Sequence, residues 1–357
     1  MKVRALLAAA TLLLANSITA TAESDAVDRY ATAFIAKERI PGLSIAVMRD
    51  GKLIKATGYG IANLETKTPA IADTVYEIGS ITKSFTAQAI MLLAEHGKIG
   101  LDDRIDKHLK GLPTAWQPVT IRQLLTHTSG LKDWEGDGLL SFRREYTFAE
   151  FIAALAPYPP DFAPGDRWAY TNTAYPLLGQ IVAAASGQPY DAFVSEQIFK
   201  RLGMEATHFS RPEDIVAQRA GGYVDDEGRL RKGELLRPRI VEPNGGILAS
   251  VRELAKWERS FHAGVLLTQS SIDALWTRQH TNDGKDVPSG LGFFVADIHG
   301  HRALVHNGAT PGGFSSVFYD FPDDRLTVFA LCNIDRGDAI NRVATHVASL
   351  YVPGVSL

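Results

Sequence analysis

Apolar and polar positions divide the chain into three stretches. Leu43–Arg49 is an apolar run, Asp50-Gly51 is a turn dipeptide, and Lys52–Thr57 alternates again. An Asp-Gly between two such runs predicts a β-hairpin. A second group of strand-like runs comes late: Gly292–Val295, Ala303–His306, Ser315–Phe321 and Leu326–Asn333. Pro322-Asp323-Asp324 turns the last pair, and Ala339–Tyr351 then has helical spacing. In the middle, Ile81–His96 carries Phe85, Ile90, Leu92 and Leu93 and is ended by Gly97. Ile121–Leu125, Tyr175–Ala185 and Val251–His262 also read as helices, and Tyr158–Gly165 as a Pro-rich loop. Strands at both ends around a helical middle predict an α+β fold. One antiparallel sheet is built from both termini and flanked by helices, with a mostly helical lobe inserted. The expected division is an α/β lobe of about residues 23–79 and 245–357 and a helical lobe of about residues 80–244. The cleft between two such lobes is a natural place for a site.

Composition narrows the class. With 45% hydrophobic and 22% charged residues, the 357-residue chain is neither disordered, collagen-like nor a coiled coil. A formal charge of -3 and the absence of long basic runs argue against nucleic acid as a partner. Met1-Lys2-Val3-Arg4 is a basic start, Ala5–Ala15 is almost purely apolar, and Ala20-Thr21-Ala22 is a small-x-small pattern. Together they predict a signal peptide over residues 1–22 and a secreted or periplasmic protein; an uncleaved anchor is the rival reading. The apolar run falls short of the roughly 20 residues a membrane span needs, and no later stretch reaches that length. Cys332 is the only cysteine, so an internal disulfide is excluded. It sits in the run Leu326–Cys332 and reads as core filler.

Two familiar hydrolase signals are missing: there is no G-x-S-x-G and no H-E-x-x-H. The pair His299-Gly300-His301 reads as a hairpin tip, and neither metal nor cofactor is expected. What the chain does carry is S-x-x-K, twice: Ser80-Ile81-Thr82-Lys83 and Ser129-Gly130-Leu131-Lys132. Residues i and i+3 share a helix face, so a Lys can reach a Ser one turn earlier. Ser80 follows Gly79 and opens the predicted helix, where the positive helix end stabilises a developing oxyanion. Ser129 precedes a helix-breaking Gly in a Thr-His-Thr-Ser-Gly loop, and its match is taken as chance. A neutral Lys83 can serve as base if burial or nearby positive charge lowers its pKa; the bland reading makes Ser80 a helix cap and Lys83 a solvated residue.

Two distant motifs add weight. Tyr170-Thr171-Asn172 is the only Y-x-N among 11 tyrosines, and His306-Asn307-Gly308 closes a predicted strand before Ala309-Thr310-Pro311-Gly312-Gly313. A Tyr hydroxyl beside Lys can shuttle a proton, an Asn amide can hold a substrate carbonyl, and Gly308 lets a substrate backbone lie against the strand edge. Each has a structural counterpart: Tyr170 as a core aromatic, Asn172 as a helix cap, and His306-Asn307-Gly308 as a strand-end turn.

The order S-x-x-K, Y-x-N, H-x-G resembles the penicillin-recognising serine hydrolases, and within them is most similar to the class C β-lactamase-like branch. Further segments share the likeness: Pro41–Val47, Thr120–Leu131, Phe162-Ala163-Pro164-Gly165 before Trp168–Asn172, Leu202-Gly203-Met204, Asn244-Gly245-Gly246 and Thr310-Pro311-Gly312. The resemblance implies an acylated Ser80, Lys83 as its activating neighbour, Tyr170 as general base or proton shuttle, and Asn172 as a substrate ligand. It also implies an oxyanion hole from the Ser80 and Ala309 N–H groups. His306 stands where many members have the Lys of K-T-G, with Asn307 and Gly308 beside it at the substrate edge. A His offers a carboxylate less charge than a Lys, so a broad esterase or D-peptidase on a small-molecule or short-peptide substrate is expected first. The alternatives are a β-lactamase or DD-carboxypeptidase on the same site, or a non-catalytic cell-wall ligand sensor. Any preference for carboxylate substrates is expected to strengthen as pH falls through the titration of His306.

Overall fold

A computed structural model describes residues 25–211, 213–234 and 238–355; the candidate leader, residues 1–22, lies outside them. The hairpin predicted at Asp50-Gly51 is present. Strands β1 (Gly42–Arg49) and β2 (Lys52–Asn63) meet with Arg49 opposite Lys52, and both turn residues have positive φ, 53° and 68°. That pairing of left-handed residues is what a two-residue hairpin loop requires. A short β3 (Thr68–Pro69) follows, and the late strands are β4 (Phe294–Ile298), β5 (His301–Thr310), β6 (Phe314–Phe321) and β7 (Leu326–Cys332).

These seven form one antiparallel sheet in the order β3-β2-β1-β7-β6-β5-β4. The chain's two ends therefore meet at the β1–β7 ladder, with Leu43 opposite Cys332. Strands β6 and β7 are buried at every position because both faces of the sheet are covered. Alternation then sorts their side chains. Leu43, Ile45, Val317, Val328 and Ala330 face a core shared with the helix α1 at residues 25–38 and the C-terminal helix α5 (Gly337–Ser349). Ala46, Met48, Phe318, Phe329 and Leu331 face the larger core, shared with α2 (Thr82–Glu95), α3 (Ala174–Ser186) and α4 (Val251–Ala263). Each large apolar side chain wholly withdrawn from water contributes about 1.5–3 kcal/mol.

Three sequence expectations shift. The strand expected over Gly292–Val295 begins at Phe294. Gly292 instead packs on α2 with φ +75°, where a Cβ would lie 2.4 Å from Ala87 Cβ. The strand expected to end at His306 runs to Thr310, so His306-Asn307-Gly308 lies within β5. Ser80 does not sit in the α-helix itself: a 3-10 turn, Gly79–Ile81, precedes α2. The His299-Gly300 hairpin tip is as expected, with both residues at positive φ between β4 and β5. Cys332 is fully buried, and burial pushes its thiol up to about 12. No helix among the described residues is long and apolar enough to cross a membrane.

Candidate active site

The short strand Tyr76–Glu77 leads through Ile78 to Gly79, whose φ of +49° turns the chain sharply into the 3-10 turn carrying Ser80. Helix α2 starts at Thr82, and Lys83 in its first turn is fully buried. The i, i+3 spacing brings Lys83 Nζ to 2.9 Å from Ser80 Oγ. Lys83 Nζ also lies 2.9 Å from Asn172 Oδ1 and 3.0 Å from the Asn244 carbonyl. As an ammonium, Lys83 donates to all three oxygens. As a neutral amine it keeps two N–H bonds, to Asn172 and Asn244, and turns a lone pair toward the Ser80 hydroxyl. Burial pulls Lys83 down to about 7, against the opposing fields of Glu135 and Asp133, so both forms are accessible near neutrality.

The Tyr170 hydroxyl donates to Ser80 Oγ at 2.9 Å. Burial pushes the Tyr170 phenol well above its usual range, which keeps it protonated and able to donate. Its placement depends on residues that sequence reasoning missed. The His127 ring stacks on Tyr170 with centroids 4.4 Å apart, and His127 Nδ1 accepts the Thr171 N–H at 3.2 Å. Asp133 Oδ1 accepts the Asn172 N–H at 2.8 Å, and Thr173 Oγ1 takes the Trp134 N–H at 3.1 Å. The signal available for His127 was the Thr-His-Thr-Ser-Gly segment, whose His adopts φ 58°, a value few residue types tolerate.

That segment also explains the second S-x-x-K. Ser129 is fully buried with its Oγ accepting the Leu131 N–H, and Lys132 points to Asp137 and Asp161. Ser129 and Lys132 are therefore engaged elsewhere, whereas Ser80, Lys83, Tyr170 and Asn172 converge on one point.

The β5 edge completes the site. β4 pairs with β5 only as far as Val305, so residues 306–310 continue beyond it, with Asn307 and Ala309 exposed. Gly308 is pressed against the nucleophile turn: a Cβ there would lie 2.2 Å from the Ile78 carbonyl oxygen and 2.8 Å from Ser80 N. Gly79, for its part, would place a Cβ 2.9 Å from Ala309 N. Two glycines thus let the strand and the turn meet with the Ser80 and Ala309 backbones side by side. His306 is only 1% exposed, lies against Phe294 and has Nδ1 2.8 Å from the Asn307 carbonyl. Burial and the field of Lys83 pull it down to about 3. His306 stays neutral through the physiological range, which corrects the expected titration: a buried imidazole beside Lys83 does not charge there. Among the described residues, the place where three His or carboxylate ligand atoms converge lies outside this cleft, at Glu258, His262 and Asp320.

The sequence pattern of the family described as Beta-lactamase matches residues 27–351. The Beta-lactamase of Pseudomonas fluorescens is 31% identical, covering 90% of this chain and 96% of that protein. Penicillin-binding protein 4* of Bacillus subtilis is 28% identical over 85% of this chain and 71% of its own length. The octameric penicillin-binding protein homologue of Pyrococcus abyssi superposes with a TM-score of 0.77 at 29% identity, covering 92% of this chain and 77% of that one. With a family match spanning almost the whole described chain, this protein belongs to the superfamily of β-lactamases and penicillin-binding proteins.

Proposed function

We propose that the protein is a serine hydrolase that cleaves ester or amide bonds through an acyl-enzyme on Ser80. The observation that carries this reading is the double engagement of Ser80 Oγ, by Lys83 Nζ and by the Tyr170 hydroxyl, each at 2.9 Å. Neutral Lys83 takes the Ser80 proton as Oγ attacks the substrate carbonyl, and the bond to the leaving group breaks as the tetrahedral intermediate collapses. The Ser80 and Ala309 N–H groups face the developing oxyanion. Tyr170 relays a proton from Lys83 to the leaving group, and the same groups activate water for deacylation. Asn172 has its carbonyl oxygen on Lys83 and so positions the base as well as the substrate.

A neutral, buried His306 gives the β5 edge no fixed positive charge for a carboxylate. This supports a broad esterase or D-peptidase-like activity ahead of a dedicated β-lactamase or DD-carboxypeptidase. The leader-like residues 1–22 support action outside the cytoplasm. The reading is tested on purified protein with short-chain p-nitrophenyl esters, D-amino acid amides, D-Ala-D-Ala peptides and nitrocefin from pH 5.5 to 8.5. Ester or amide turnover should exceed nitrocefin turnover, with a ratio that stays flat over this range because His306 does not charge within it. A panel on which only nitrocefin is turned over contradicts the ranking. Absence of turnover on every substrate favours the ligand-sensor alternative.

A further inference from the structure

A second polar cluster lies at the far end of the sheet. Glu258 and His262 stand one turn apart on α4, and Asp320 near the end of β6 faces them; one ligand atom from each lies within 4.8 Å of the others. Asp320 is four residues along β6 from Ser316, which bonds the Ile78 carbonyl at the nucleophile turn. At about 3.3 Å per residue that is roughly 13 Å away, too far to serve the hydrolytic chemistry.

Glu258 and Asp320 are only 5% and 6% exposed, yet few hydrogens are available to them. His262 Nε2 lies 2.8 Å from Glu258 Oε1. Thr327 Oγ1 lies 3.1 Å from the same Glu258 oxygen and 2.9 Å from Asp320 Oδ1, but one hydroxyl hydrogen cannot serve both. Glu258 Oε2 is buried without any partner. Beside these groups is a cavity of about 10 Å³; Glu258, Asp320 and Thr327 form its polar wall, and the rest is aromatic, from Trp257, Phe261, Phe293, Phe318, Phe329 and Trp276, whose indole N–H is likewise unpartnered. That is room for one small ion or one water. Two adjacent buried carboxylates call for positive charge; His262, whose bond to Glu258 favours its protonated form, and the field of Arg302 on Asp320 supply part of it but leave Glu258 Oε2 unpartnered.

We propose that Glu258, His262 and Asp320 form a divalent-cation site suited to Zn²⁺, tying α4 to β6. One imidazole and two carboxylates is a donor set that zinc accepts readily, with a fourth position left for an oxygen ligand. His262, with its side chain 34% exposed, provides the route in from solvent. The competing occupant is a proton: burial beside Glu258 pushes the Asp320 carboxyl up.

The test uses ZnCl₂ on EDTA-treated wild-type protein, with metal content measured after desalting and melting followed by calorimetry. One Zn²⁺ per chain should be retained, and zinc at a hundredfold excess over its Kd should raise Tm by about 3–5 °C. His262→Ala and Asp320→Asn should each weaken zinc binding at least tenfold with unchanged far-ultraviolet dichroism, while Ser80→Ala binds zinc as wild type does. If Asp320→Asn does not fold, the partly exposed His262→Ala decides alone. Wild-type protein that retains no zinc, or variants that retain it equally, overturn the proposal. Asp320→Asn melting above wild type without zinc uptake does so too, and assigns the site to the proton. None of these readouts depends on hydrolytic activity.

Discussion

At the scale of single residues, the proposed chemistry rests on moving Lys83 out of its ordinary range. Complete burial opposes the charged form, and the fields of Glu135 and Asp133 restore part of it, leaving the group near 7. Only the neutral amine can accept the Ser80 proton. Acylation by a neutral ester should therefore rise with pH along a single limb centred near 7, then level off; a rate flat from pH 5.5 to 8.5 would mean that Lys83 is not the base. Tyr170→Phe deletes one hydroxyl and keeps the ring stacked on His127. Turnover should fall roughly 10²–10⁴-fold with little change in melting temperature, the usual worth of a proton-transfer group. The sequence made Ser80, Lys83, Tyr170 and Asn172 legible because each sits in a short motif with fixed spacing. His127, Asp133 and Asn244 were not legible as site residues, since their contacts bridge elements separated by dozens of positions. Asn244 appeared only inside a family-like segment, and its backbone carbonyl, not its side chain, receives the Lys83 bond.

At the scale of elements, the approach of β5 to the nucleophile turn sets the site. Sequence reading assigned Gly308 to the substrate edge, but its nearest constraint is internal: a Cβ would meet the Ile78 carbonyl, Ser316 Oγ and Ser80 N, all within 2.8 Å. Gly308→Ala must push β5 away from the turn and separate the Ser80 and Ala309 N–H groups. A displacement of about 1 Å at such a site costs on the order of 10² in rate. We expect at least that loss in kcat for ester hydrolysis, whereas Gly51→Ala, which meets no atom within 4 Å, should leave kcat unchanged. Equal kcat in Gly308→Ala and wild type would show that the strand does not set the oxyanion geometry. The strands themselves were readable from alternation and from the Asp50-Gly51 signal. Their ends were not: β5 continues four residues past the expected boundary because pairing with β6, from Leu304–Asp320 to Thr310–Phe314, carries it on. No local pattern at Asn307 or Gly308 announces that partner.

At the scale of the whole molecule, the sheet is a shared wall between two cores, and the chain's two ends close one of them. Helices α1 and α5 cover the face that carries Leu43, Val317 and Val328, and the larger core supports the site from the other face. Ile340 on α5 is fully buried against the sheet. Ile340→Ala should cost about 2–5 kcal/mol of stability, read as a lower denaturant midpoint, with kcat preserved because the site lies across the sheet. A loss of kcat without loss of stability would mean that the terminal core shapes the site directly. The overall α+β plan was legible because strands at both ends around a helical middle admit few arrangements. Which face each strand gives to which core was less so, since β6 and β7 are buried on both sides and their runs carry no polar face to orient them.

The central claim is that Ser80, activated by Lys83, is the group that becomes acylated. It is tested most directly by fluorophosphonate labelling of the folded protein, read by intact mass and by peptide mapping. Wild type and Ser129→Ala should each gain one adduct, mapped to Ser80, at a rate that rises through pH 7; Ser80→Ala should gain none. An adduct on any other serine, or labelling that survives Ser80→Ala, contradicts the account.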